Sequence, residues 1–234
     1  MYDFEEACPV SKAATVLCER WTLQILREMM LGASRFSEFR QYLPKLSPTL
    51  LNSRLKSLET QGLVVKKKIR DKSGHEYQLS ASGRALEPII SEFGKWGMQY
   101  AFDMMSEDQL NVSAIIRDFA FALQSDQLPS GSIIIQFNVL IEDDCVIKYL
   151  MVRNGSTEVC DENMGYDVDV TLTASLKTFG QIWFNAIGVT PLIKAGQLKV
   201  SGPPAYTRNI SRWLGTSQFL AGKPLQQQAS STCK

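Results

Sequence analysis

The side chains able to do chemistry crowd into one stretch of this 234-residue chain. Between positions 35 and 72 stand ten basic residues: Arg35, Arg40, Lys45, Arg54, Lys56, Lys66, Lys67, Lys68, Arg70 and Lys72. Only Glu38, Glu59 and Asp71 oppose them, so ten positive charges meet three negative ones, a net of +7. The whole chain sets 25 Lys+Arg against 24 Asp+Glu, a net of +1, which leaves −6 for everything else. Interleaved with the cations are Ser47, Thr49, Asn52 and Ser53. That mixture suits nucleic acid: cations grip phosphates regardless of sequence, while short polar side chains reach base edges. Catalysis finds no comparable set. His75 is the only histidine, and Asp143-Asp144 fall in a strand-to-strand turn where carboxylates are ordinary. No Ser/His/Asp, Cys/His or glycine-rich phosphate-binding constellation is present, so the sequence predicts no enzyme, no cofactor and no metal site. Cys8, Cys18, Cys145, Cys160 and Cys233 are odd in number and widely spread, which argues against a disulfide framework.

The elements that must aim these residues follow from periodicity. Val10–Leu17 predicts a short helix with Ser11 as its cap. Thr22–Leu31 predicts a second, with Leu23, Leu26, Met29 and Met30 at helical spacing and Gly32 as its stop. A third covers about Ser37–Tyr42. Ser47-Pro48-Thr49 is a serine cap with proline in the first turn, and the helix it opens runs to about Gln61, ended by Gly62. Leu51, Leu55 and Leu58 mark its buried stripe. Leu63–Arg70 and His75–Ser80 read as strands joined by Asp71-Lys72-Ser73-Gly74, a hairpin signature. A long helix is predicted over Gly83–Met105, its apolar residues including Ile89, Phe93, Trp96 and Tyr100.

Helix, turn, capped helix and basic hairpin, in that order, are the elements of a winged helix-turn-helix, mostly α with a β-hairpin wing. With the leucines inward, Thr49, Asn52, Ser53 and Lys56 face outward; Asn suits adenine, and Arg54 and Lys56 suit phosphate or guanine. The wing would add Lys66, Lys67, Lys68, Arg70, Lys72 and His75, with Arg35 and Ser47 nearby. Taken alone, the lysine triplet is no more than a solvated face; with the helix order and the hairpin it favours double-stranded DNA.

Composition sets the bounds. With 44% apolar and 21% charged residues the chain is an ordinary folded soluble protein, and its length falls between one domain and two. Apolar runs such as Phe119–Leu123 fall far short of the ~20 residues of a membrane helix. The first residues are acidic where a signal peptide is basic. A cytoplasmic protein without a membrane partner is expected.

The stretches Cys8-Pro9-Val10, Glu19-Arg20-Trp21-Thr22-Leu23-Gln24-Ile25-Leu26-Arg27-Glu28, Arg35-Phe36-Ser37-Glu38-Phe39, Leu46 to Glu59 and Gly62-Leu63-Val64 resemble the HxlR-type branch of winged-helix transcriptional regulators, relatives of the MarR group. The resemblance covers about residues 5–104. It departs at Cys18-Glu19-Arg20, where the family usually has Gly-Gly-Lys before the tryptophan, and in a hairpin without proline. It implies a homodimer joined by the first and last helices of the domain, and so a two-fold symmetric operator. It also makes Cys8 a candidate redox sensor, against the alternative of a half-buried structural cysteine. Residues 83–105 are apolar on more than one face, which fits either a dimer contact or packing between domains.

After a polar linker at 106–112, the second half predicts a helix over Ala114–Leu123 and strands over Ile133–Ile141, Cys145–Val152 and Val168–Thr173. Helices over Leu176–Ile187 and Pro191–Ala195, the strand Leu198–Ser201 and a helix over Ala205–Phe219 complete it. Asp169-Val170-Thr171-Leu172-Thr173 and Gly196-Gln197-Leu198-Lys199-Val200-Ser201-Gly202 resemble the sterol carrier protein type-two fold, which implies a five-stranded sheet covered by helices and an apolar tunnel. Candidate lining residues are Phe119, Phe137, Phe179, Ile182, Trp183, Phe184, Leu192, Trp213 and Phe219, although aromatic residues at such spacing ordinarily fill a core. The expected architecture is therefore α+β in two domains. Residues 1–105 would bind DNA and dimerise, 113–222 would hold a lipid-like or other apolar molecule, and 223–234 would be a disordered tail. The expected function is a transcriptional regulator; the alternative is a lipid or acyl carrier whose winged domain makes protein contacts.

Overall fold

The computed structural model describes residues 7–69, 74–129, 132–153, 156–163 and 165–217. The chain divides into two compact units between Phe93 and Gly94. The first is built from helices α1 (Pro9–Leu17), α2 (Thr22–Met30), α3 (Phe36–Tyr42) and α4 (Pro48–Thr60), followed by the hairpin β1 (Val64–Lys68) and β2 (His75–Leu79). Local chemistry sets each boundary. Pro9 opens α1 with Cys8, not Ser11, at its N-cap. The Ser47 hydroxyl oxygen accepts from Leu50 N at 3.3 Å, and Gly62 takes φ +71 just past the end of α4. Ile25, Leu26, Phe39, Leu46, Leu51, Leu55 and Leu58 form the core, none more than 1% exposed.

The helix expected over Gly83–Met105 is interrupted. A short α5 (Ala81–Arg84) is capped by Ser80, and α6 (Glu87–Tyr100) begins after a turn. Pro88 is the reason. It has no N–H for the Arg84 carbonyl, and its ring collides with a carbonyl four residues back, so a continuous helix cannot pass. Beyond α6 the chain makes short 3-10 turns at Phe102–Met104 and Glu107–Gln109.

In the second unit α7 (Val112–Ala122), capped by Asn111, is followed by β3 (Ser132–Ile141), β4 (Asp144–Arg153), β5 (Ser156–Cys160) and β6 (Val170–Ser175). Then come α8 (Leu176–Trp183), α9 (Val189–Lys194), β7 (Leu198–Ser201), α10 (Pro204–Thr207) and α11 (Ile210–Trp213). The five strands lie in the order β5-β4-β3-β6-β7. β3 runs parallel to β6, and the other neighbours are antiparallel. The period of two puts Ile133, Ile135, Phe137 and Val139 on the core face with Leu150, Val152, Val170, Leu172 and Leu198. Gln136 and Asn138 take the other face, where Asn138 Nδ2 donates to Thr173 Oγ1 at 3.1 Å across the parallel pair.

Three expectations change here. β5 was not foreseen. The helix expected over Ala205–Phe219 is two short pieces, and Gly215 then lies so close to α7 that a Cβ would stand 2.0 Å from the Ala122 carbonyl oxygen. Cys160 is engaged in a disulfide, although the spacing argued against a framework. Among the described residues no helix is long and apolar enough to cross a membrane.

Two glycines of the first unit separate steric from conformational cost. A Cβ on Gly83 would meet the Leu63 carbonyl oxygen at 2.2 Å, whereas one on Gly62 meets nothing within 4 Å but must accept φ +71. Gly83→Ala is expected to destabilise by about 3 kcal/mol or more and Gly62→Ala by only about 1 kcal/mol, read by urea unfolding of each variant. Equal losses would contradict the geometry.

Candidate nucleic-acid interface

Helix α4 presents two faces. Leu51, Leu55 and Leu58 are buried, and Ser47, Thr49, Asn52, Ser53 and Lys56 are exposed, the arrangement their spacing predicted. On the hairpin, Lys66, Lys67 and Lys68 are exposed and pair in register with Tyr77, Glu76 and His75. Lys66 Nζ stands 5.9 Å from the Tyr77 ring centre, and Lys67 Nζ is 2.6 Å from Gln78 Oε1. Tyr77 is buried and packs edge-on against Phe39, which anchors the wing to the helices. His75 is exposed at the start of β2. Arg70 and Lys72 lie outside the described residues.

Two of the predicted contacts are held within the protein, Arg35 through its backbone and Arg54 through its side chain. Arg35 is half-buried where α3 begins; its backbone forms a β-bridge with Glu76 on β2, and its backbone N–H donates to Glu38 Oε2 at 2.9 Å. Arg54 turns back from the exposed face: its Nε donates to the Arg20 carbonyl at 2.9 Å and a terminal nitrogen lies 2.6 Å from Glu19 Oε2. Sequence reasoning had missed Glu19 and Glu38. A glutamate in the first turn of α3 was a readable capping signal for Glu38, whose carboxylate also accepts from Ser34 N at 2.7 Å. Glu19 carried no local signal.

Cys8 is half-buried at the N-cap of α1. The Ser11 backbone N–H, then that of Val10, then the Ser11 hydroxyl, hold its thiol below the ordinary value by hydrogen bonding to the sulfur. Cys8, Cys18 and Cys145 are free.

In the second unit the candidate lining residues come together as a packed aromatic cluster. Phe119, Phe137, Phe179 and Trp213 have no exposed surface, and Ile182, Trp183 and Leu192 are buried. Phe119 stacks on Phe137 with centroids 6.0 Å apart and meets Trp183 edge-on at 5.6 Å. The Trp213 indole N–H donates to the Tyr206 carbonyl at 2.9 Å. Phe184 is half-buried, packs against the same core and also meets the Phe102 ring edge-on. Phe219 lies outside the described residues.

A capped helix with a polar outer face, beside a lysine-bearing hairpin anchored on the same core, defines a winged helix-turn-helix protein. Residues 16–105 match the family model described as HxlR-like helix-turn-helix, and residues 124–215 match that of the SCP-2 sterol transfer family. The HTH-type transcriptional regulator YvaP of Bacillus subtilis is 39% identical over 97 residues, spanning 41% of this chain and 90% of its own. YdeP of the same organism is 36% identical over 101 residues, spanning 42% and 77%. Similar solved structures include the redox regulator HypR in its reduced form (29% identity, TM-score 0.39, 42% of this chain and 100% of that one). The reduced form of the transcriptional regulator YodB from B. subtilis is another (30%, TM-score 0.35, 41% and 95%). The chain belongs to the HxlR-like helix-turn-helix family.

The hydrogen bonds at Cys8 have a measurable effect. With its thiol below the ordinary value, Cys8 holds more thiolate at neutral pH than an unperturbed cysteine. In a Cys18→Ser, Cys145→Ser background, its iodoacetamide alkylation rate, followed by mass spectrometry against pH, is expected to reach half-maximum at a lower pH in the folded protein than in the same protein unfolded in urea. A folded-state midpoint at or above the unfolded one would contradict the bonding described.

Proposed function

We propose that this protein is a DNA-binding transcriptional regulator that reads its operator with α4 and grips the flanking backbone with the hairpin. The observation that carries the reading is the outward face of α4, with Thr49, Asn52, Ser53 and Lys56 exposed, next to three exposed wing lysines of the same unit. Asn52 can bond adenine through both ends of its amide, and Lys66, Lys67 and Lys68 neutralise phosphates whatever the sequence. The relatives named transcriptional regulators support the same reading.

The regulator acts as a homodimer in this proposal. Ile89, Phe93, Trp96 and Tyr100 recur along one face of α6 and are 44%, 57%, 60% and 65% exposed. A stripe of four large apolar side chains at that exposure is what a second copy would cover. Two such copies present two reading helices to a two-fold symmetric site. The C-terminal unit, with its match to a sterol transfer family and its aromatic core, would take a lipid-like molecule that shifts DNA affinity. It can do so only by binding the DNA-competent state with a different affinity. Cys8 would supply a second, oxidant-sensitive input.

Two measurements test this. On a duplex selected by the protein from a randomised pool, Asn52→Ala is expected to cost about 1–3 kcal/mol and to relax the preference at one base pair. Replacing Lys66, Lys67 and Lys68 with alanine should weaken all duplexes alike and flatten the salt dependence by about 0.9 per lost phosphate contact. Failure of the wild-type protein to bind any duplex overturns the proposal. By sedimentation, the wild type should be a dimer and Phe93→Glu/Trp96→Glu a monomer with at least about tenfold weaker operator binding. A variant that stays dimeric would overturn the assignment of the interface.

A further inference from the structure

Arg54 lies on the flank of α4, between the buried leucines and the exposed reading face. Two of its donor edges are occupied, one by the Arg20 carbonyl at 2.9 Å and one by the Glu19 carboxylate at 2.6 Å, and the two side chains of the ion pair are 19% and 25% exposed. Both acceptors belong to the corner between α1 and α2, 34 residues upstream for Arg20. That corner is built under constraint. Trp21 takes φ +75, in the left-handed region that side chains rarely occupy, and the Arg20 guanidinium stands 5.5 Å from the Trp21 ring centre. Thr22 N donates to the Glu19 carbonyl at 3.0 Å, so Glu19 closes the turn with its backbone while its carboxylate faces Arg54.

We propose that Arg54 is a positioning residue: through Glu19 and the Arg20 carbonyl it fixes the angle at which α4 leaves the α1–α2 corner, and so aims Asn52 and Lys56, without touching DNA itself. The inference rests on the DNA-binding reading above. Charge supports it. A guanidinium already matched to a carboxylate carries little net field toward a phosphate, whereas Lys56 and the wing lysines are exposed. Geometry supports it too. Arginine's planar fork holds two acceptors in a fixed relation, which a single-point lysine could not do.

Salt dependence separates aiming from gripping, because it counts the counterions that phosphate contacts release. Affinity for a duplex selected by the wild-type protein, and for a non-selected duplex, is measured against KCl concentration. The proteins compared are the wild type, Arg54→Gln, Glu19→Gln, the double variant and the reversed pair Glu19→Arg/Arg54→Glu. Each single substitution is expected to weaken the selected duplex about three- to tenfold, leaving the non-selected duplex and the salt slope unchanged. The double variant should be no worse than the weaker single one, and the reversed pair should recover only the part of the loss due to the ion pair, because a carboxylate at position 54 cannot donate to the Arg20 carbonyl. A slope flattened by about 0.9 in Arg54→Gln, with Glu19→Gln neutral or tighter, makes Arg54 a phosphate contact and overturns the proposal. Losses that vanish when affinities are corrected for the titrated active fraction assign the pair to stability alone and overturn it equally. A wild-type protein that selects no duplex removes the DNA-binding reading and this inference with it.

Discussion

The first domain depends on one constraint, the burial of Leu51, Leu55 and Leu58 along a single stripe of α4. Three fully buried leucines contribute roughly 5–9 kcal/mol before entropy is counted, so α4 cannot turn about its axis without exposing them. Everything on the other face is fixed by that refusal. Thr49, Asn52, Ser53 and Lys56 are outward because the leucines are inward, and the identity of the outward residues can change without disturbing the core. The stripe sets where the helix points its reading face; Arg54, at the middle of α4, ties that helix to Glu19 and the strained corner at Trp21.

The hairpin is tied to the same core by a different route. Tyr77 enters it beside Phe39, and Ser34 and Arg35 pair with β2, so the wing is held from both its own strand and the start of α3. The lysines of β1 are then carried at a set distance from α4. A cationic stretch that on the sequence is a run of letters becomes a surface with a helix in it. The second half shares none of this charge: residues 107–234 set ten basic side chains against twelve acidic ones, a net of −2.

Much of this was legible because it is local. The Ser47-Pro48 cap, the Gly62 stop, the leucine stripe and the two wing strands each depend on residues within a turn or two of one another. What was missed is of two kinds. Some signals were present and outweighed: Pro88 sat in plain view, but an apolar period running from Leu86 to Met104 masked the break it imposes. β5 is only five residues, Ser-Thr-Glu-Val-Cys, too short and too polar for alternation to mark it. Others had no local signal. Glu19 meets Arg54 35 positions away, and the side-by-side placement of β3 and β6 depends on a parallel pairing across the whole sheet. The face of α4 could be read from the sequence, but not that Arg54 would be drawn off it.

The hairpin has one further consequence. Ser34 and Arg35 occupy the outer side of β2, so the strand left at the sheet margin is β1, and its exposed residues are Val65 and three lysines in succession. An uncovered strand margin is a template on which another chain can extend a sheet, and consecutive lysines are among the commonest deterrents against it. The residues proposed to hold phosphates are therefore also of the kind that disfavours sheet extension through the wing. In the proposed DNA complex the polyanion would shield them; free, they repel one another's margins. A substitution that neutralised them all would therefore alter solubility together with the proposed affinity.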